Sequence, residues 1–284
     1  MALTRTETPT VYLRPPKGWI PLNLRDLWHY RELAYFLTWR DIKVRYKQAA
    51  LGIAWALLQP IMTMVIFAYI FGDRLGLSPD PGIPQALYPI FTFAGLLPWH
   101  LFQYGLQRSS VSLVMNANLL TKVYFPRLII PFAAVLSGLV DFLFSLVVLA
   151  VLMLYFQVPF TLRLFWLVPL TLLVVLASLA VGLWLSALNV QYRDVQQAVP
   201  FVIQAWMWLS PVVYSVNTVA ASPLARMVYS LNPMAGVIQG FRWVLLNGSP
   251  PDAMMAVSVV VVIVLLISGL FYFRRMERTF ADMV

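Results

Sequence analysis

Six stretches of this chain run for the length of a bilayer crossing with almost no charge, and they constrain it more than anything else. A helix needs about 20 mostly apolar residues to cross hydrocarbon, and windows at 51–72, 87–107, 128–156, 164–190, 198–216 and 253–273 supply them. In lipid every backbone polar group must be satisfied internally, which favours helices. The predicted fold is therefore an all-α membrane protein with six transmembrane helices. Composition agrees, with 61% apolar and 11% charged residues against about 25% charged in a soluble domain. The absence of Cys and the presence of only His29 and His100 leave no material for disulfides or for a His/Cys zinc site.

The charge of +9 invites a nucleic-acid reading, but the positions of the basic residues supply another. Nine precede the first window (Arg5, Arg14, Lys17, Arg25, Arg31, Arg40, Lys43, Arg45, Lys47). Arg108, Lys122 and Arg127 fall between the second and third, Arg193 between the fourth and fifth, and Arg274, Arg275 and Arg278 after the sixth. The other side receives only Arg74, Arg163, Arg226 and Arg242. The positive-inside rule then puts both termini in the cytoplasm, so no nucleic acid partner is expected. Residues 1–24 are polar and lack an apolar signal core, so they are expected to stay. The expected organisation is a cytoplasmic tail and interface helix over 1–50, a six-span transmembrane domain over 51–273 and a cytoplasmic tail over 274–284.

Two segments are neither simple spans nor simple loops. Over 24–47, Leu24, Trp28, Tyr35, Trp39, Ile42 and Tyr46 recur at helical spacing among charged residues, which predicts an amphipathic helix along the membrane surface, against a partner subunit, or both. Between the fifth and sixth windows, 224–231 and 234–246 are apolar but too short to cross and are interrupted at Asn232-Pro233. A re-entrant helical hairpin fits; a loop with a surface helix is the alternative.

Chemistry is sparse. The four lysines are preceded by Pro16, Ile42, Tyr46 and Thr121, so no Gly-Lys phosphate loop is present. Asp141 is the only ionisable group in mid-span, as a proton relay or as a structural partner. Asp73 and Asp80, among glycines and prolines, read as solvated loop charges, and His100 as an interhelical hydrogen-bonding group. Trp55, Gln59, Phe67 and Tyr69 in the first window, and Gln204, Trp206, Trp208 and Tyr214 in the fifth, combine rings with amides and hydroxyls. Such a lining suits a sugar polymer, because rings cover apolar sugar faces; helix packing is the competing explanation.

Several runs together resemble one family: Trp39-Arg40-Asp41-Ile42-Lys43-Val44-Arg45-Tyr46, Gln59-Pro60, Leu119 to Arg127 (LLTKVYFPR), Asn189 to Val195 (NVQYRDV), Leu209-Ser210-Pro211-Val212-Val213-Tyr214 and Leu231-Asn232-Pro233-Met234. The chain is similar over nearly its whole length to the permease subunits of bacterial ABC-type polysaccharide exporters for O-antigen, capsule or teichoic acid. The resemblance implies a homodimer in the inner membrane, paired with two copies of an ATP-binding subunit that holds the ATP and Mg, so this chain needs no cofactor. It also implies ATPase contacts at 24–47, at 111–127 (Asn118, Lys122, Tyr124, Arg127) and at 191–197 (Arg193, Asp194). The first and fifth spans would line the channel, and 224–246 would lie near its outer gate. O-antigen is the favoured cargo, and on this resemblance Arg40, Lys43, Arg45 and Lys47 are candidates for attracting the pyrophosphate of a lipid-linked glycan, or simply obey the positive-inside rule.

Overall fold

A computed structural model describes residues 24–47, 52–219, 222–248, 250, 252–277 and 280. The expected tail over 1–23 and most of the chain beyond Glu277 lie outside the described residues. Those residues are helical, without strands.

The amphipathic segment forms α1 (Leu24–His29) and α2 (Arg31–Lys47). α3 (Gly52–Phe67) continues as a wider-wound π-helix over Ala68–Arg74. α4 (Tyr88–Met115) follows, then the short α5 (Ala117–Lys122). The third window gives α6 (Ile129–Leu136) and α7 (Leu139–Tyr155); Ser137 and Gly138 between them keep right-handed helical dihedrals. α8 (Leu167–Gln191) and α9 (Asp194–Trp208) come next, followed by the single turn α10 (Val216–Val219). α11 (Pro223–Ser230) and α12 (Pro233–Leu246) form the pair expected around Asn232-Pro233, and α13 (Ala253–Met276) closes the order.

Among the described residues four stretches are long and apolar enough to cross a membrane: Ala54–Arg74, Ile129–Tyr155, Leu162–Gln191 and Ala253–Met276. The fifth window departs from expectation. α9 has 15 residues and stops at Trp208 rather than at 216, a rise of about 22 Å. The stop is local: the Ser210 hydroxyl donates to the Trp206 carbonyl at 2.9 Å, and Pro211 has no N–H with which to extend the ladder.

α4 is the axis of the molecule. It carries Thr92, His100, Gln103, Gln107, Arg108 and three serines, yet most of it from Tyr88 to Leu113 is buried, Thr92 and the serines included, and only Gln107 and Arg108 in that run are exposed. Other helices surround it and meet it through small residues. A side chain at Gly105 would come within 2.8 Å of Ser178, and one at Gly182 within 2.6 Å of Ser109, so α4 and α8 run side by side in one direction with Gly/Ser pairs facing each other at four-residue spacing. Small residues of this kind let helix backbones approach where lipid gives no hydrophobic drive. A second apolar cluster joins Ala34 and Leu37 of α2 to Ile130 and Ala133 of α6 and to Phe273 and Phe280 at the chain's end.

Candidate functional site

α2 presents two unlike faces. Ala34 and Leu37 are buried, and the Thr38 hydroxyl donates to the carbonyls of Ala34 (2.8 Å) and Ala133 (3.4 Å). Trp28, Tyr35, Phe36, Trp39 and Val44 are exposed. Trp28, Tyr35 and Trp39 of the stripe read from the sequence thus face outward, Ile42 and Tyr46 are half-buried, and small or medium residues one position away make the protein contact.

Of the four basic residues proposed to attract pyrophosphate, two are already engaged. Arg40 donates to Asp41 (2.8 Å) and Asn116 (2.9 Å). Arg45 pairs with Asp141, whose other oxygen accepts the Tyr46 hydroxyl. Burial, reinforced by the bond to Asp141, pushes the Tyr46 phenol up to about 12, so at neutral pH it is a donor. Asp141 therefore acts as a structural partner, holding the end of α2 against α7. Lys43 and Lys47 are exposed, with Lys43 5.4 Å from the centre of the Trp39 ring.

The eight ring and amide positions separate into three groups and one lone residue, Gln204. Trp55 and Gln59 face a cavity of about 430 Å³ bounded by α2, α3, α4 and α7, which also takes in Arg45, Tyr104, Arg108 and Asp141. At the other end of α3, Phe67 lies 5.9 Å from Trp208, with Phe71 also on that indole, and the Tyr69 hydroxyl accepts from Arg74 at 2.8 Å. Gln204 is exposed on α9. The remaining two hold the fold. Trp206 donates from Nε1 to Asn232 Oδ1 at 3.0 Å and packs edge-on to Phe102. Tyr214 shares a 2.7 Å hydroxyl contact with Tyr229 and donates to the Trp208 carbonyl at 2.9 Å.

The turn after α9 is held by two groups that the sequence placed in solvent. Arg242, counted among the outer loop charges, is 1% exposed. It donates to the carbonyls of Val212 (2.8 Å) and Tyr214 (3.1 Å) and stacks 3.5 Å from the centre of Phe91. Tyr88 takes the intervening Val213 carbonyl at 2.5 Å, so three successive carbonyls are satisfied by buried side chains. Asp80, read as a solvated loop charge, is 5% exposed and accepts from Ser215. The signal for Arg242 was present: it is the only charge in an apolar stretch, as Asp141 is in its own.

At the end of the bundle that carries α2, Asn118, Lys122 and Tyr124 are exposed, with Tyr124 95% accessible. Arg193 and Asp194 are exposed at the start of α9. Arg127 is not free: its Nη1 donates to the Glu277 carbonyl at 2.5 Å and its backbone N–H to Glu277 Oε1 at 3.2 Å, with Phe280 beside its guanidinium. No group of three or more His, Cys, Asp or Glu suited to a metal occurs among the described residues.

Comparison with known proteins matches residues 32–246 to the ABC-2 type transporter family. An O-antigen export system permease protein of Myxococcus xanthus is 32% identical over 262 residues, covering 89% of this chain and 96% of that one. A Klebsiella pneumoniae protein of the same description is 27% identical over 89% of this chain and 95% of its own. A polysialic acid transport protein of Escherichia coli is 24% identical over 74% of this chain and 79% of its own. With a family match over most of its length and a bundle of helices apolar enough to cross a bilayer, the chain belongs to the ABC-2 type transporter family of multi-pass membrane permeases.

Proposed function

We propose that this chain is the permease subunit of an ATP-driven exporter that moves a lipid-linked polysaccharide, O-antigen in the first instance, across the bacterial cytoplasmic membrane. The observation that carries the proposal is the 89% of the chain aligned with permeases described as O-antigen export proteins. The similarity to a polysialic acid transport protein favours a capsular polysaccharide as the second reading.

The rest of the proposal is built on the surfaces that lack partners. Trp55, Met62, Val65 and Tyr69 of α3 and Phe201, Val202 and Trp208 of α9 are exposed, and the two helices meet at Phe67 and Trp208. A homodimer closing on this face would enclose a passage lined by Trp55, Gln59, Phe67, Tyr69, Gln204 and Trp208. Counting α4 and α9 with the four apolar stretches gives six crossings, with α11 and α12 as a re-entrant pair; burial of nearly all of α12 suits non-spanning backbone at membrane depth. Both termini face the cytoplasm, where Arg40, Lys43 and Lys47 attract an anionic headgroup. Two copies of a separate ATPase dock on Asn118, Lys122, Tyr124, Arg193 and Asp194. ATP binding there closes the ATPase pair and moves the helices as rigid bodies; this chain makes and breaks no bonds.

Depleting the chain in its host and extracting lipid-linked glycans tests this. Full-length polymer should accumulate on the cytoplasmic side. Shortened or missing glycan without accumulation would point to an enzyme or assembly factor instead.

A further inference from the structure

α9 is held unevenly along its length. From Asp194 to Ala205 only Val199 and Ile203 are buried, with Val195 half-buried beside them, so one narrow stripe meets the rest of the protein and the other residues are exposed. No side chain in that stretch makes a hydrogen bond to another helix among the described residues. Pro200 also removes one bond from the helix's own ladder. The contact with α3 is made of rings alone, Phe67 and Phe71 lying 5.9 and 6.0 Å from the Trp208 ring.

The last turn is the opposite. A helix end leaves four carbonyls without a partner in its own ladder, and here those of residues 206–209 are all taken. Ser210 takes two, its hydroxyl donating to Trp206 at 2.9 Å and its N–H to Met207 at 3.1 Å. The Tyr214 hydroxyl donates to Trp208 at 2.9 Å, and Asn232 Nδ2 to Leu209 at 3.3 Å. The same Nδ2 donates to the Ser210 hydroxyl at 2.9 Å, while Asn232 Oδ1 accepts from Trp206 Nε1 at 3.0 Å and from the Met234 N–H at 3.1 Å. One side chain thus caps the end of α9 and the start of α12 together. α12 itself has no room to move. It is nearly all buried, a side chain at Gly236 would come within 2.7 Å of Ser258 on α13, and one at Gly240 within 2.8 Å of Leu170 on α8. The Ser258 hydroxyl also reaches the carbonyls of Ser230 (3.2 Å) and Asn232 (3.3 Å).

We infer that Asn232 is a positioning residue that makes the end of α9 near Trp208 a pivot, fixed to α12, about which the helix swings while displacement falls at the end carrying Arg193 and Asp194. Hydrogen bonds are directional and hold the junction to α12, whereas ring contacts are not and let α9 shift against α3. With a rise of 1.5 Å per residue, Asp194 stands roughly 20 Å from the junction, so a tilt of about 10° would move it by about 3–4 Å and leave Leu209 nearly still. Hinged motions of this kind concentrate change in a few residues at element ends. Assigning the moving end to the cytoplasm and the driving force to ATP rests on the export proposal; the pivot rests on the contacts.

The test uses the permease with its ATPase, reconstituted in nanodiscs. The natural chain has no Cys, so single cysteines at Gln197 and Leu209, both exposed, report the two ends through their rates of maleimide labelling, without nucleotide and trapped with ATP and vanadate. Gln197→Cys should change rate several-fold between the two states, and Leu209→Cys should not. Adding Asn232→Ala should make Leu209→Cys respond several-fold as well. Trp206→Phe, which keeps a ring against Phe102 and removes only the bond to Asn232, should act in the same direction to a smaller extent, and it carries the test should Asn232→Ala fail to assemble, which co-purification checks. A merely stabilising asparagine would lower the unfolding temperature of these variants without making Leu209 sensitive to nucleotide. Equal responses at the two ends of the native helix, a response at neither, or a Leu209 that stays silent in the variants overturns the proposal. Labelling is read without transport. A chain that exports without this pattern therefore loses the pivot and keeps the function, and one that shows the pattern but accumulates no glycan on depletion keeps the pivot and loses the cargo.

Discussion

Arg242 and Asp141 show how single charges organise this chain. Arg242→Met would strand the carbonyls of Val212 and Tyr214, and leaving buried acceptors unpaired costs about 1–3 kcal/mol each. We expect a large fall in the thermal unfolding temperature of the detergent-solubilised protein, with Arg242→Lys recovering little because a lysine has neither the planar fork nor the stacking on Phe91. Asp141→Ala should release the end of α2 at a cost of about 2 kcal/mol, seen as faster proteolysis near Lys47, whereas Asp141→Asn, which still accepts a hydrogen bond, should cost less. Both charges stand out in the sequence by the same criterion, an ionisable group within an apolar stretch. Asp141 was recognisable because it sits in mid-span. Arg242 stood out equally, but what it holds was not readable, because its partners are backbone carbonyls 28 and 30 residues away, in a turn that no periodicity marks.

Among the elements, the break between α11 and α12 was readable and the end of α9 was not. Asn232-Pro233 breaks the helix, and Asn232 caps α12 by accepting from the Met234 N–H at 3.1 Å; both are local effects. The residues from Trp206 to Val216 stay apolar across the point where α9 stops, so hydropathy runs on where the helix does not. The contact between α4 and α8 rests on glycines that were likewise invisible as an interface. Gly182→Ala should cost about 1–3 kcal/mol by overpacking, measured as a lowered unfolding temperature, and adding Ser109→Gly should restore most of it. The end of the chain braces the segment before α6: Arg127, Glu277 and Phe280 lock together, and Phe280 is fully buried. Phe280→Ala should reduce co-purification of the proposed ATPase partner while membrane insertion persists; unchanged co-purification would show that the brace does not position the proposed docking surface.

Taken whole, the molecule keeps its polar residues on the axis and its most apolar helices at the periphery, so burial could not be ranked from hydropathy. The open face of α3 and α9 gives a prediction at this scale. The natural chain has no Cys, so a single Met62→Cys, at a position 54% exposed, should give a disulfide-linked dimer in membranes under mild oxidation, while Leu172→Cys on the outer side of α8 should stay monomeric. The composition of α4 bears on how the chain is made. With Arg108, His100, two glutamines and three serines in 28 residues, α4 is costly to leave alone in hydrocarbon, and the Gly/Ser face that stabilises it belongs to α8, about seventy residues further along the chain. During synthesis α4 must therefore wait, sheltered by α3 or by the insertion machinery, until α8 has emerged to cover it.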